Sequence, residues 1–256
     1  MKLLTVDIGN SRAKADVWEG SEHLCHAVVD SSEIAALDHM VEFYEVEDAM
    51  LISVGANSGL WEKCLEEKLS GNVISGLPEF IDNYEVRYTS GLGVDRAAAF
   101  IGAASLFPDT PLLIVDAGTA LTVDVVDKKG IFCGGNISLG LYSRLKAINL
   151  MTAKLPMVTL NNSVKDFGND TEEAIRNGAI NGVVAELLYD FKNAEEVYGI
   201  EKLVITGGDA PYLLPLLKDK GLECHHDPYL VGRGMNVEYR RMQKSSMRFD
   251  LRYEEN

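Results

Sequence analysis

The sequence is poor in basic residues, in paired cysteines and in long apolar runs, and each shortage excludes something. Its 256 residues include 24 Lys or Arg against 39 Asp or Glu, a net charge of −15. General nucleic-acid binding requires a basic face, so that class falls away and no nucleic-acid partner is expected. Cys25, Cys64, Cys133 and Cys224 are scattered, with no C-x-x-C pair and no disulfide framework, and read as core thiols. No run of about 18 apolar residues could span a bilayer, so no membrane association is expected. Asp7 interrupts the first apolar stretch too early for a signal peptide, which points to a cytoplasmic protein. The remaining composition, 46% hydrophobic and 25% charged, is that of an ordinary globular chain. Its length suits two domains of about 100–150 residues each.

The most informative feature present is an internal echo. Lys2–Asn10 reads KLLTVDIGN and Pro111–Thr119 reads PLLIVDAGT. Each is a short apolar run ending in Asp, then one residue, Gly, and a small polar residue. The two Asp residues stand 116 − 7 = 109 positions apart, close to half the chain. Second strand-like stretches follow, at 13–18 and 121–126, then a turn with Gly20 or Gly130, then third stretches at 23–29 and 131–137. Helical spacing predicts helices over 32–44, 60–69, 95–107, 142–153, 171–198 and 211–220, with buried strands at 50–54 and 202–206. The order β-β-β-α-β-α-β-α, twice over, predicts a duplicated ribonuclease H-like α/β fold, two domains flanking a central nucleotide cleft. The division falls at 1–108 and 109–256, and the charged tail after Arg240 has no clear period.

Three constellations could carry chemistry. Asp7-Ile8-Gly9-Asn10-Ser11, with Arg12 and Lys14 beyond, places a carboxylate at a strand end and a glycine where backbone can approach a phosphate. Asp7 could hold Mg²⁺, an ion that takes few carboxylates and keeps several waters. Alone this motif is also an ordinary hairpin turn. Asp116-Ala117-Gly118-Thr119 repeats it in the other half, and the pair favours two phosphate loops facing a shared cleft. A chain so acidic repels a nucleotide globally, so backbone amides, a bound cation and local groups such as Lys14 must do the holding. Gly93-Val94-Asp95-Arg96 heads an Ala-rich helix. Asp95 reads equally as a helix N-cap or as a carboxylate base, and Arg96 suits a substrate carboxylate. The glycines at 134, 135 and 140, and Thr206-Gly207-Gly208 after a buried strand, fit either close approach to a ligand or plain turns. Asp170 with Glu173 reads as a capping box, and Cys224-His225-His226 as structural.

Taken together, D-I-G-N-S-R-A-K (Asp7–Lys14), G-V-D-R (Gly93–Arg96), D-A-G-T-A-L-T-V-D (Asp116–Asp124), F-C-G-G-N-I (Phe132–Ile137), T-A-K-L-P (Thr152–Pro156) and T-E-E-A-I-R-N-G (Thr171–Gly178) resemble type III pantothenate kinases, of the acetate and sugar kinase/Hsp70/actin superfamily. The resemblance covers nearly the whole chain. It implies ATP-dependent phosphorylation of pantothenate to 4′-phosphopantothenate, the first step towards coenzyme A. It also implies a homodimer and a need for Mg²⁺ and a monovalent cation, K⁺ or NH₄⁺. By that resemblance Asp7, Ile8, Gly9, Asn10, Ser11, Arg12, Ala13 and Lys14 bind ATP, with Thr119 joining from the second loop. Asp95 is the base, Tyr88, Gly93, Val94, Asp95, Arg96 and Thr171 contact pantothenate, and Asp116 ligates the monovalent cation. One departure is Leu139, which stands where the family carries proline. Two other readings compete: a sugar or N-acetylhexosamine kinase of the same fold, and a non-catalytic nucleotide-binding regulator. No Cys/His zinc cluster supports the first, and the paired Asp turns with Asp95 weigh against the second.

Overall fold

A computed structural model describes residues 1–9, 12–53, 58–78, 80–89, 91–161 and 165–254. The chain forms two compact units, one of Met1–Phe107 with Tyr229–Asn256 and one of Pro108–Pro228.

In the first unit, strands β1 (Lys2–Ile8), β2 (Arg12–Glu19) and β3 (Glu22–Asp30) form an antiparallel meander. A 3-10 turn, Ile34–Leu37, and helix α1 (Asp38–Tyr44) return the chain to β4 (Asp48–Ser53), which lies parallel to β1. Helix α2 (Ser58–Glu66) leads to β5 (Val73–Ser75), parallel to β4, and helices α3 (Phe80–Asn83) and α4 (Val94–Leu106) follow. The sheet order is β3-β2-β1-β4-β5. Alternation along the strands gives the sheet two buried faces. Leu4, Val6, Ile8, Ala13, Ala15 and Val17 pack against Leu37, Val41, Trp61 and Leu65 of the α1–α2 side. The opposite residues Leu3, Thr5, Asp16, Trp18, Met50 and Ile52 are buried too.

The second unit repeats the arrangement. Strands β6 (Leu112–Ala117), β7 (Ala120–Val126) and β8 (Phe132–Leu139) form the meander, and helices α5 (Leu141–Met151) and α6 (Thr171–Tyr198) follow. Strand β9 (Lys202–Thr206) pairs parallel with β6, then come α7 (Ala210–Asp219) and β10 (Cys224–His226), parallel to β9. The order β10-β9-β6-β7-β8 is the first sheet's order with new strand numbers. Two copies of one sheet topology, each a meander followed by two parallel strands, make the fold a duplicated ribonuclease H-like fold. Its core joins Leu113, Val115, Leu121 and Val123 of the sheet to Leu145, Val183, Leu187 and Leu213 of the helices.

Helix α3 and strands β5 and β10 were not placed by the sequence, and two further differences alter the course of the chain. The predicted helix over 32–44 divides into the 3-10 turn and the shorter α1. The tail after Arg240 belongs to a 25-residue helix, α8 (Leu230–Glu254), and α8 folds with the first unit rather than with the second half of the chain. Among the described side chains its buried apolar residues, Leu230, Val231, Met235 and Tyr239, lie before Arg240. Helix α8 crosses α4 backbone on backbone. A Cβ on Gly234 would overlap the Ala98 carbonyl, and one on Gly102 would overlap the Leu230 carbonyl and come within 3.2 Å of the Gly234 nitrogen. The start of α8 is held as well. Tyr229 stacks on His23 at 3.8 Å, and ring nitrogens of His23 and His26 each lie 2.8 Å from Oδ1 of buried Asp16. A Cβ on Gly232 would stand 2.6 Å from Asp16 Oδ2.

Overpacking a close contact costs about 1–3 kcal/mol, more when backbone must move. Gly234→Ala should therefore lower the midpoint of urea unfolding clearly, in spite of the higher helix propensity of alanine. An unchanged midpoint would mean that the α4–α8 crossing has slack.

Candidate functional site

The β1–β2 turn closes on itself. The Gly9 N–H donates to the Arg12 carbonyl at 3.0 Å, and a Cβ on Gly9 would lie 3.0 Å from the same oxygen, so the turn is tight enough to favour glycine. Asp7 pairs across the ladder with Lys14, and Ile8 with Ala13. Directly paired residues share a face, so acid and base stand together on one side of the hairpin. Ile8 and Ala13 are buried in the core on the other, and only their backbone can serve a ligand. Arg12 is exposed; Asn10 and Ser11 lie outside the described residues.

The β6–β7 turn has the same start but is braced from outside. Its Gly118 N–H donates to the Ala120 carbonyl at 3.1 Å. The Thr119 carbonyl accepts from the Gly140 N–H at 3.0 Å and from Ser143 Oγ at 2.7 Å, and the Ala117 carbonyl accepts from the Asp209 N–H at 2.9 Å. Gly140 lies so close that a Cβ would overlap the Gly118 carbonyl. At Gly207, with φ +96°, a Cβ would reach 2.5 Å from Asp116 Oδ1. Two of the glycine motifs thus converge on this turn, Gly140 on Gly118 and Thr119, and Gly207 on Ala117 and Asp116, whose parallel-sheet partner is Thr206. Gly134 serves elsewhere.

Asp209 was not singled out by sequence reasoning. It occupies the N-cap position of α7, yet its carboxylate does not cap that helix. Its Oδ2 accepts from the Leu141 N–H at 3.1 Å, and the Tyr142 N–H also bonds it, so it caps α5 from a distance. Burial pushes its pKa up, those two backbone bonds pull it down, and the nearby charge of Asp116 raises it again. Nothing local in T-G-G-D marks this role, because the capped helix is 68 residues away. Asp116 and Asp209 make the turn locally negative, which suits a cation that keeps most of its waters. Among the described residues no group of three or more His, Cys, Asp or Glu is arranged to hold a metal ion.

The third constellation opens α4. Gly93, not Asp95, is the N-cap, and the Ala97 N–H returns to the Gly93 carbonyl at 3.0 Å. Asp95 therefore sits inside the first turn, where its Oδ1 accepts from the Arg96 N–H at 2.9 Å. A Cβ on Gly93 would stand 2.5 Å from that oxygen, so glycine is required for Asp95 to lie as it does. Arg96 is 5% exposed, and its Nη1 donates to Tyr88 Oη at 3.3 Å with the guanidinium 5.0 Å from the ring centre. Tyr88, Gly93, Val94, Asp95 and Arg96 thus form one cluster in the first unit. Thr171 is an exposed first residue of α6 in the second unit. Before it, Asp170 caps α6 by accepting from the Glu173 N–H at 2.8 Å, and the Glu173 carboxylate accepts from the Asn169 N–H at 3.0 Å.

Residues 3–189 match the family model described as type III pantothenate kinase, a span that holds both turns, the start of α4 and Thr171. The chain is 34% identical over 242 residues to a type III pantothenate kinase of Porphyromonas gingivalis strain W83, covering 92% of this chain and 98% of that protein. It is 32% identical to a type III pantothenate kinase of Flavobacterium johnsoniae, with coverage of 85% and 90%. Among solved structures, the activator of the 2-hydroxyisocaproyl-CoA dehydratase from Clostridium difficile with bound ADPNP is similar in fold. Its TM-score is 0.54 at 10% identity, over 97% of this chain and 98% of that one.

The raised pKa of Asp209 has a consequence for stability. A carboxyl group whose folded pKa lies above its unfolded value favours folding most at low pH, and that contribution is lost as pH rises through the folded value. Asp209→Asn keeps an oxygen to accept the α5 backbone bonds but never ionises. Its melting temperature relative to the parent protein should therefore increase as pH is raised from 4 to 7. A constant offset across that range would mean that ionised Asp209 is as well accommodated as the amide.

Proposed function

The chain belongs to the type III pantothenate kinase family, and we propose that it transfers the γ-phosphoryl group of ATP to the primary hydroxyl of pantothenate through the three constellations above. The observation that carries the reading is the match of one family model across both Asp-x-Gly turns and the Gly93–Arg96 helix start. The product is 4′-phosphopantothenate, and the reaction opens coenzyme A biosynthesis in the cytoplasm. No helix among the described residues is long and apolar enough to cross a membrane.

Phosphoryl transfer passes through a loose transition state, so the protein acts mainly by positioning groups and balancing charge. On this reading the β1–β2 turn, Asp7–Lys14, receives the ATP phosphates through backbone and Lys14, and Thr119 meets the nucleotide from the second turn. The tight approach at Gly9 and the bracing of Thr119 by Gly140 and Ser143 suit surfaces that must hold still against a charged ligand. Mg²⁺, carried with ATP and met by Asp7, would neutralise charge developing on the phosphates. A K⁺ or NH₄⁺ ion would sit at Asp116, where the nearby Asp209 adds to the negative potential.

Asp95 is the base. One of its oxygens is held by the Arg96 N–H, which orients the carboxylate and leaves the other oxygen to accept the hydroxyl proton. Arg96, almost fully buried beside Tyr88, is a desolvated cation of fixed direction and suits the pantothenate carboxylate. Gly93, Val94 and Thr171 complete the pantothenate contacts. A homodimer belongs to the same proposal. It is supported by the exposed apolar side chains Ile137, Leu139, Leu150 and Met151 of the second unit, and should appear in light scattering as twice the 28.1 kDa chain mass.

The decisive experiment is an ATP-dependent pantothenate phosphorylation assay, run in K⁺ and in Na⁺ at fixed ionic strength, on the parent and on Asp95→Asn. The parent should turn over in K⁺ and much less in Na⁺; equal rates would remove the cation from Asp116. General-base contributions are typically about 10²–10⁴-fold, so Asp95→Asn should lose kcat by that order with ATP affinity and melting temperature little changed. Because Asp95 is not the N-cap, a variant with near-normal turnover would leave it no role beyond its bond to the Arg96 N–H.

A further inference from the structure

Strand β8 passes into helix α5 through the peptide between Leu139 and Gly140, and both ends of that peptide are held. Its N–H donates to the Thr119 carbonyl at 3.0 Å, and its carbonyl accepts from Arg144 Nε at 2.9 Å. A trans peptide is planar, so its N–H and C=O point in opposite directions and turn together. An arginine that fixes the carbonyl therefore also fixes the direction in which the N–H meets Thr119.

Arg144 is itself held at both ends. Its backbone N–H donates to the Gly140 carbonyl at 3.0 Å, in the first turn of α5. At the other end, Nη2 pairs with Glu186 Oε2 of α6 and donates to Ser138 Oγ at 3.3 Å. The Ser138 hydroxyl in turn donates to Glu186 Oε1 at 2.6 Å, which closes a ring of polar contacts. Helix α6 leaves room for that ring: a Cβ on Gly182, one turn before Glu186, would stand 3.2 Å from Arg144 Nη1. Val183 and Leu187, on either side of Glu186, are buried in the core of the unit, so the carboxylate hangs from an anchored helix. Ion pairs in open water contribute little. Here the two side chains are only 21% and 26% exposed, and the guanidinium spreads its fork over three oxygens, a geometry that gives direction as well as attraction.

We propose that Arg144, held by Glu186, is a positioning residue for ATP: it sets the plane of the 139–140 peptide and so the place at which Thr119 meets the nucleotide. The inference rests on the kinase reading above, in which Thr119 contacts ATP from the second turn. Arg144 and Glu186 do not touch the nucleotide themselves. They act through one peptide and one carbonyl. Lysine at position 144 would answer the Glu186 charge, but as a point charge it has no second arm for the Leu139 carbonyl.

The test is calorimetric titration of the protein with ATP and Mg²⁺, without pantothenate, beside steady-state kinetics. It uses the parent, Arg144→Ala, Arg144→Lys, Thr119→Ala and the Thr119→Ala, Arg144→Ala double variant. Arg144→Ala should weaken ATP binding and raise the KM for ATP about tenfold, while the KM for pantothenate stays unchanged. Arg144→Lys should keep the melting temperature of the parent and still lose most of the same ATP affinity. On the Thr119→Ala background, Arg144→Ala should cost little more, because the side chain it positions is gone. The inference is overturned if both Arg144 variants bind ATP as the parent does, or if Arg144→Lys restores affinity together with stability, as a merely structural role requires. Full additivity of the two alanine substitutions would overturn it as well. The titration separates this inference from the reading beneath it: a parent that binds ATP but phosphorylates no pantothenate sinks that reading alone, and a parent without ATP affinity sinks both.

Discussion

The crossing of α4 and α8 at Gly102 and Gly234 is the contact on which the first unit depends. Neither helix could keep its place if the other carried a side chain there, because each glycine faces the partner's backbone directly. The consequence runs in two directions. Towards the chain end, the crossing seats Leu230, Met235 and Tyr239 and brings the last helix back to the first unit. Towards the proposed chemistry, it holds α4, whose first turn carries Asp95 and Arg96. Close helix packing, set by two residues without side chains, thus holds the helix that presents the Asp95 carboxylate and the buried Arg96 guanidinium.

The two Asp-x-Gly turns illustrate how a duplicated fold can specialise its copies. Both end a first strand and begin a second in the same sheet order. The first closes by one backbone bond and has an acid–base pair, Asp7 and Lys14, across the ladder. In the second, Thr122 stands opposite Asp116 where Lys14 stands opposite Asp7, and the support comes from α5 and α7. Gly140, Ser143, Gly207 and Asp209 all bear on it, and the added carboxylate makes it more negative. In a protein of net charge −15, the two turns thus differ in local charge although they share one backbone plan.

Much of this was legible in the chain itself. The echo between residues 2–10 and 111–119 announced a duplication, because strands buried on both faces read as unbroken apolar runs and leave little room for variation. The helix over 171–198 and the strand over 202–206 emerged with the expected bounds, since each combines a clear period with a terminal signal: Asp170 and Gly199 for the helix, and the Gly207 turn for the strand. Three features were not legible. The charged stretch after Arg240 hid the continuation of a helix that begins with the buried apolar residues Leu230, Val231, Met235 and Tyr239. Asp95 read equally as an N-cap or a base, but the cap position belongs to Gly93. Asp209 carried no local signal, because it serves a helix 68 residues away.

By itself, then, the sequence determined what depends on neighbours along the chain: strand and helix periods, turns that need glycine, the excess of negative charge, and the ordered motifs that resemble one kinase family. The tertiary structure alone decided what depends on neighbours in space. It set which unit the last helix joins, which glycines press on the second turn, what Asp209 caps, and which peptide Arg144 holds. The reason is one of range. Backbone propensity and side-chain period act over a few residues, whereas a close approach of two backbones, or a carboxylate that crosses from one helix to another, exists only after distant segments have packed.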